Sequence, residues 1–198
     1  MTNQMQKFNR EQLIGMINNG TNKVALDLGC GARKKTGHVG LDIAPLEGVD
    51  IVCNIEEGFP IENDIVDSIY SNFMFEHIPN TIFLFQELYR ISKKDSVIEF
   101  KVPYYQSNTQ YKDPTHSAII LPETMRYFSD DKWYGSDYSI NVNFEILNIE
   151  YEYLPPFNYW QLKRYILFRP ILYPIRKFAR RFLWNVVHSI VIKVKVVK

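Results

Sequence analysis

At 198 residues, with 46% hydrophobic and 15% aromatic side chains, the chain is sized for one α/β domain with a proper core and is cramped for two. Its two cysteines, Cys30 and Cys53, are too few for a disulfide framework and lack metal-ligand spacing, so reduced thiols in the cytoplasm are expected. The net charge of +1 hides a split: residues 1–160 carry 13 Lys/Arg against 22 Asp/Glu, while residues 161–198 carry ten Lys/Arg and no acid.

That asymmetry points the last quarter toward something anionic, either lipid headgroups, nucleic acid or an acidic substrate, or else toward the acidic body of the same domain. The opening MTNQMQKFNREQ lacks the apolar run of a secretory signal, and no stretch reaches the roughly 18 uncharged apolar residues of a transmembrane helix.

In chain order, residues 8–18 read as a short helix with Phe8, Leu13, Ile14 and Ile17 near one face. Strands follow at Val24–Leu28, His38–Asp42, Val49–Cys53, Ile65–Ser71 and Ser96–Val102, each closed by glycine, proline or polar residues. Ile78, Ile82, Phe85, Leu88 and Ile91 recur at helical spacing, with Pro79 suited to the first turn. A short helix after Pro122 carries Met125 and Phe128, and Phe144–Leu154 and Ser189–Val197 close the chain as strands six and seven. The pattern predicts a Rossmann-like α/β fold: a mostly parallel seven-stranded sheet with an antiparallel edge strand and helices on both faces, in a single domain over 1–198. Only nine residues, 29–37, separate the first two strands, which is short for a helical crossover. The link is either an extended loop or a sign that these strands are not neighbours.

The turn Asp27-Leu28-Gly29-Cys30-Gly31 follows the first strand directly, where glycines let the backbone bend and approach a ligand. A dinucleotide fingerprint is not met, because Lys34 stands where its last glycine belongs, and the phosphate loop of nucleotide triphosphatases is absent. A nicotinamide-dependent oxidoreductase is therefore disfavoured, and a nucleoside without pyrophosphate survives. Asp42 closes the second strand, where a carboxylate accepts hydrogen bonds from both hydroxyls of a ribose, or simply forms a turn.

Four segments together carry a family resemblance: VALDLGCG from Val24, HVGLDI from His38, IVCNIEEGFPIENDIVDSIYSNFMFEHI from Ile51, and ELYRISKKDSVIEFKVP from Glu87. In this order and spacing the chain resembles the class I S-adenosylmethionine-dependent methyltransferases from Val24 to about Val102, and less closely to Phe128. The resemblance implies S-adenosylmethionine as cofactor, with Asp27, Gly29, Cys30 and Gly31 cradling its methionine moiety. Asp42, followed by Ile43, would hold the ribose. Asn54, followed by Ile55, stands where the family often has an Asp near the adenine amino group. Ser71 and Asn72 would border the methionyl end, with His77 nearby. The chain departs from the family at Arg33 in place of a third glycine, in the truncated crossover, and in Ser92-Lys93-Lys94-Asp95 replacing a Pro-Gly-Gly turn.

For the acceptor side, methyl transfer needs alignment and, for a hydroxyl, a general base. His116 is the candidate base, with Asp113 orienting it, and Tyr104 and Tyr105 are candidates for substrate contact. No metal site is expected. Residues 155–187 read as a basic amphipathic insert before the last strand. A helix over 175–187, opened by Pro174, would place Ile175, Phe178, Ala179, Phe182, Leu183 and Val186 on one face and Arg176, Lys177, Arg180 and Arg181 on the other. Upstream, Trp160, Tyr165, Ile166, Leu167 and Phe168 interleave with Lys163, Arg164 and Arg169. Residues 160–187 therefore suit an anionic membrane surface, against the alternative of ordinary packing on the domain. Lys193, Lys195 and Lys198 suit an exposed sheet edge. Nucleic acid is disfavoured because the body is acidic.

The expected function is methyl transfer to an oxygen of a small-molecule, saccharide or lipid-linked acceptor by a cytoplasmic, peripherally membrane-associated enzyme. The competing expectation is a non-catalytic membrane-surface adaptor on a degenerate nucleotide-binding fold.

Overall fold

The computed structural model describes residues 7–17, 22–130, 140–155 and 169–198. Seven strands, β1 (Ala25–Leu28), β2 (Val39–Asp42), β3 (Ile51–Val52), β4 (Val66–Asn72), β5 (Ser92–Pro103), β6 (Phe144–Tyr153) and β7 (Val187–Val196), form one sheet in the order β3-β2-β1-β4-β5-β7-β6. The first five are parallel, and β7 runs antiparallel to both β5 and β6. Helices α1 (Arg10–Ile17), α2 (Thr81–Ile91), α3 (Asn108–Tyr111) and α4 (Arg169–Phe182) flank it. This is the Rossmann-like arrangement expected from the sequence.

The link between β1 and β2 is the extended loop, and the two strands are direct parallel neighbours. Polar bonds to the sheet hold the loop in place of a helix. The Asp27 carboxylate accepts the Lys35 N–H at 2.7 Å, Lys34 pairs with Asp50 at 2.8 Å, and the Lys35 ammonium sits 3.8 Å above the Tyr70 ring.

On one face of β5 the even residues Ile98, Phe100 and Val102 are buried, and the same alternation on β7 buries Ile190, Ile192, Val194 and Val196. Phe85 of α2 packs there against Phe75, Phe100, Phe128 and Phe144, with ring centroids 4.5–6.0 Å away. Burial of these large rings removes a large apolar area from water at this end of the sheet.

Four local expectations are corrected. Pro79 lies before the cap of α2 rather than in its first turn, because the Asn80 side chain accepts the Phe83 N–H and makes Asn80 the N-cap. Strand β5 starts four residues early, at Ser92, which pairs with Val66; the chain between that pair and Ser68–Val97 bulges out of the ladder, and Asp95 there takes the positive φ that a glycine would otherwise supply. The outer strand is β6. Lys193 and Lys195 therefore guard no edge; they lie inside the sheet and pair across strands with Glu99 and Glu145. Helix α4 begins at Arg169 and ends at Phe182, so Pro174 lies within it. Residues 160–168 of the basic insert lie outside the described residues.

Candidate active site

The carboxyl ends of β1, β2, β4 and β5 all meet at one edge of the sheet, where parallel α/β folds place their ligands. At that edge Gly29 and Gly31 have φ of +67° and +52°. A Cβ on Gly29 would lie 2.4 Å from the Met74 side chain, so glycine is required by packing as well as by φ. A Cβ on Gly31 would meet nothing within 4 Å, which leaves the turn open to a ligand on that side.

The Gly31 N–H donates to Asp42 Oδ2 at 2.8 Å, and Asp42 Oδ1 accepts the Ala44 N–H at 2.9 Å. The backbone bend and the carboxylate therefore converge on one place. Each carboxylate oxygen keeps a second lone pair for a ribose hydroxyl. Ile43, 69% exposed, offers an apolar surface beside it. The Cys30 thiol is pushed up to about 11 by burial and by the charges of Asp27 and Asp42, which keeps it protonated and a poor nucleophile next to an alkylating cofactor.

Other expected cofactor residues have different work. Asp27 is buried, its carboxyl raised by that burial, and it anchors the β1–β2 loop through Lys35. Asn54 caps a short 3-10 helix at Ile55–Glu57, its side-chain oxygen accepting the Glu56 N–H and its amide donating to Glu57. The Ile55 side chain is buried in the core. Ser71 is fully buried and donates to the Leu28 carbonyl, tying β4 to β1. Asn72, by contrast, is exposed at the end of β4, and the next residue, Phe73, holds a positive φ of 56° that redirects the chain there.

Residues 75–77 form a 3-10 turn carrying Glu76 and His77. The Glu76 carbonyl accepts the N–H groups of both Ser117 and Ala118 at 2.9 Å, drawing the loop after β5 onto this turn. His116 thereby stacks edge-on against His77, centroids 4.7 Å apart. The expected pairing of Asp113 with His116 is corrected. Asp113 Oδ2 stands 3.8 Å from His116 Nε2, beyond hydrogen-bond range, because the Asx turn at Asp113-Pro114 directs Oδ1 to the N–H and hydroxyl of Thr115. Thr115 in turn bonds His77 Nδ1 at 2.9 Å, so Asp113 orients His77, while His116 Nδ1 is held by the Gln110 carbonyl at 3.0 Å.

Glu76 is a site residue that the sequence did not single out. Its side chain is 1% exposed and neither carboxylate oxygen has a hydrogen-bond partner among the described residues. Burial pushes its carboxyl up to about 7. The signal available in the sequence was a Glu-His pair flanked by apolar residues directly after a strand. Tyr104 is buried against Tyr105 and Tyr151, and Tyr105 is partly exposed.

The end of α4 closes the same edge. Trp184 stacks on Tyr111 at 5.5 Å and donates to Asn108, both on α3, and Asn185 accepts the Asn108 N–H. Arg176 and Arg180 pack over the rings of Tyr153 and Tyr151 on β6. Ala179 is buried, while Phe178 and Phe182 are 59% and 63% exposed. The domain thus covers the arginine side of the helix, and its phenylalanines face outward. Among the described residues no helix is long and apolar enough to cross a membrane.

This geometry agrees with the comparisons. The profile of the methyltransferase domain family matches residues 1–138, and the chain belongs to that family, as a class I S-adenosylmethionine-dependent methyltransferase domain. Its fold is similar to that of an S-adenosylmethionine-dependent methyltransferase from Archaeoglobus fulgidus, at 18% identity and TM-score 0.55, covering 87% of this chain and 86% of that one. It is also similar to the [4+2]-cyclase SpnF, at 13% identity and TM-score 0.54, over 94% of this chain and 81% of that one. Phosphoethanolamine N-methyltransferase 2 from Haemonchus contortus, solved with S-adenosylhomocysteine, matches at 15% identity and TM-score 0.50, over 95% of this chain and 52% of that one. No curated protein matches the sequence. The cofactor is S-adenosylmethionine, and the open turn at Gly31, the Asp42 carboxylate and exposed Ile43 fit it.

Two outcomes follow from this geometry. Asp42→Ala removes up to two charge-assisted bonds to the ribose and loosens the Gly31 turn, so affinity for S-adenosylhomocysteine falls at least about tenfold by calorimetry; unchanged affinity would contradict the placement. Glu76 has a folded pKa above its ordinary 4.5. Stability is therefore unaffected below about pH 4.5 and is lost as pH rises through about 7, by about 3 kcal/mol in all. Melting curves recorded with a chelator should show Glu76→Gln stabilising the protein at pH 8 and leaving it unchanged at pH 4; a pH-independent effect would refute this.

Proposed function

We propose that the chain methylates an oxygen of a small-molecule, saccharide or lipid-linked acceptor. The cofactor supplies an activated methyl on a sulfonium, so the chain's task is to align the acceptor hydroxyl and receive its proton. One observation carries the reading: His116, on the loop drawn onto the turn after β4, has Nδ1 held by the Gln110 carbonyl while Nε2 stands 3.8 and 3.9 Å from the carboxylates of Asp113 and Glu76. A carbonyl only accepts, so Nδ1 donates, and it is Nε2 that offers the lone pair of the unprotonated ring. As the O–CH3 bond forms and the S–CH3 bond breaks, that lone pair can receive the hydroxyl proton. Tyr105, half-exposed in the loop after β5, and the exposed Tyr111 offer aromatic surface on which a sugar or an acyl chain can lie.

The outward side of α4 supports an acceptor reached at an anionic membrane surface. Phe178, Phe182 and Leu183 are exposed next to Lys177 and Arg181, a pairing that suits the interface between headgroups and acyl chains. The helix is about 21 Å long, enough to lie along the surface and too short to cross it. The adaptor alternative draws no support, since Gly31 and Asp42 keep the cofactor turn assembled.

With radiolabelled cofactor and hydroxyl-bearing saccharide and lipid-linked acceptors, the expected product carries a methoxy group by mass spectrometry. His116→Ala lowers kcat about 10²-fold or more. Label on nitrogen or carbon, or full activity in the variant, would end the oxygen reading. For the membrane, vesicles containing phosphatidylglycerol should pellet the protein and vesicles of pure phosphatidylcholine should not. Replacing Phe178 and Phe182 with Ser together should release it; equal binding to both lipids, or retention by that variant, counts against docking through α4.

A further inference from the structure

We infer that Glu76, His77 and His116 form a binding site for one divalent transition-metal ion. One candidate ligand atom from each lies within 4.8 Å of the others. The buried Glu76 carboxylate, with no hydrogen-bond partner for either oxygen among the described residues, belongs to this cluster, and its Oε1 is 3.9 Å from His116 Nε2. A carboxyl removed from water without a partner either holds its proton or meets a cation, and a cation between it and the two imidazoles lets it stay ionised.

The hydrogen bonds around the histidines fix which nitrogens are available. His116 Nδ1 meets the Gln110 carbonyl and must donate, leaving Nε2 as a lone pair. For His77, the Thr115 hydroxyl gives its proton to Asp113 Oδ1 at 2.7 Å and so accepts from His77 Nδ1 at 2.9 Å. This leaves His77 Nε2 as a lone pair as well. Imidazoles whose Nδ1 is tied to a carbonyl or, through a hydroxyl, to a carboxylate are the usual form of metal-binding histidines.

Two acceptors 3.9 Å apart are too distant to hydrogen-bond and cannot do so when both lack a proton. They are spaced for a shared ion, with metal–nitrogen and metal–oxygen bonds of about 2.0–2.2 Å at a wide angle. Two imidazoles and one carboxylate favour zinc, iron, cobalt or manganese over magnesium or calcium, which prefer all-oxygen sets. Three protein ligands leave a coordination position open. If the oxygen-acceptor reading above is right, an ion held there would lower the pKa of an acceptor hydroxyl bound at that position, and the proton would pass to solvent because His116 Nε2 would be occupied as a ligand. The binding itself does not rest on that reading. The sequence concealed the site because His116 lies 39 residues beyond His77, outside any short metal-ligand motif.

The test uses the full chain, without an affinity tag of histidines, stripped with a chelator and titrated with Co²⁺. One equivalent should bind, with visible ligand-field absorption and a raised melting temperature, and Zn²⁺ should displace it. Glu76→Gln preserves the buried shape; it and His116→Ala should each weaken binding at least about tenfold, while His188→Ala binds as the parent does. Circular dichroism of the stripped variants reports that they are folded, and His77→Gln serves as a second ligand variant. No cobalt spectrum in the parent protein, or one that persists in folded Glu76→Gln and His116→Ala, overturns the proposal whether or not methyl transfer is observed.

Discussion

The structure depends on the hydrogen bond from the Gly31 amide to Asp42, 11 residues later. It joins the turn after β1 to the end of β2 and does the work that a crossover helix would otherwise do. Without a helix between these strands, the loop has no regular ladder of its own. Its polar groups are answered by three carboxylates, Asp27 on β1, Asp42 at the end of β2 and Asp50 just before β3. The carboxylate that fixes the backbone keeps lone pairs that fit a ribose, so the residues that hold the truncated loop are also those that fit the cofactor.

A second constraint acts on the acceptor side. The Glu76 carbonyl, accepting from Ser117 and Ala118, closes the loop after β5 onto the turn after β4. Backbone groups make this clamp, so it holds whatever side chains surround it. Its effect is to bring together two histidines and a carboxylate from distant parts of the chain. Met74, two residues before Glu76, fills the space against Gly29, so the same short turn touches the cofactor bend on one side and carries the cluster on the other.

Helix α4 adds a third element, reaching the site through α3. Trp184 and Asn185 hold Asn108 and Tyr111, and the Gln110 carbonyl of that same helix fixes His116. The residues just after the basic helix thus touch the same short helix whose Gln110 carbonyl holds an imidazole of the site. The arginines sit over tyrosine rings of β6, where the guanidinium is well accommodated, and the phenylalanines are exposed.

Much of this was legible in the residues. Alternation and glycine turns located all seven strands, the 3-4 spacing from Ile78 to Ile91 located α2, and the glycine bend and Asp42 located the cofactor site, because each signal lies within a dozen residues and follows from local backbone chemistry. Local chemistry was insufficient elsewhere. Ser71 and Asn54 have the right chemistry for a ligand, yet their side chains bond the Leu28 carbonyl and the Glu56 N–H, partners known only once the strands are paired and the cap formed. Asp113 was matched with the wrong histidine, since an Asx turn competes with a longer reach and wins. The outward face of α4 depended on arginine packing against β6, which periodicity cannot reveal. The sequence alone determined the sheet and the glycine bend, because short-range backbone preferences and apolar spacing specify them, while the class of cofactor came from the resemblance of its motifs to a known family. Only the tertiary structure decided that Glu76, His77 and His116 share one gap, because that meeting arises from a clamp between segments some 40 residues apart.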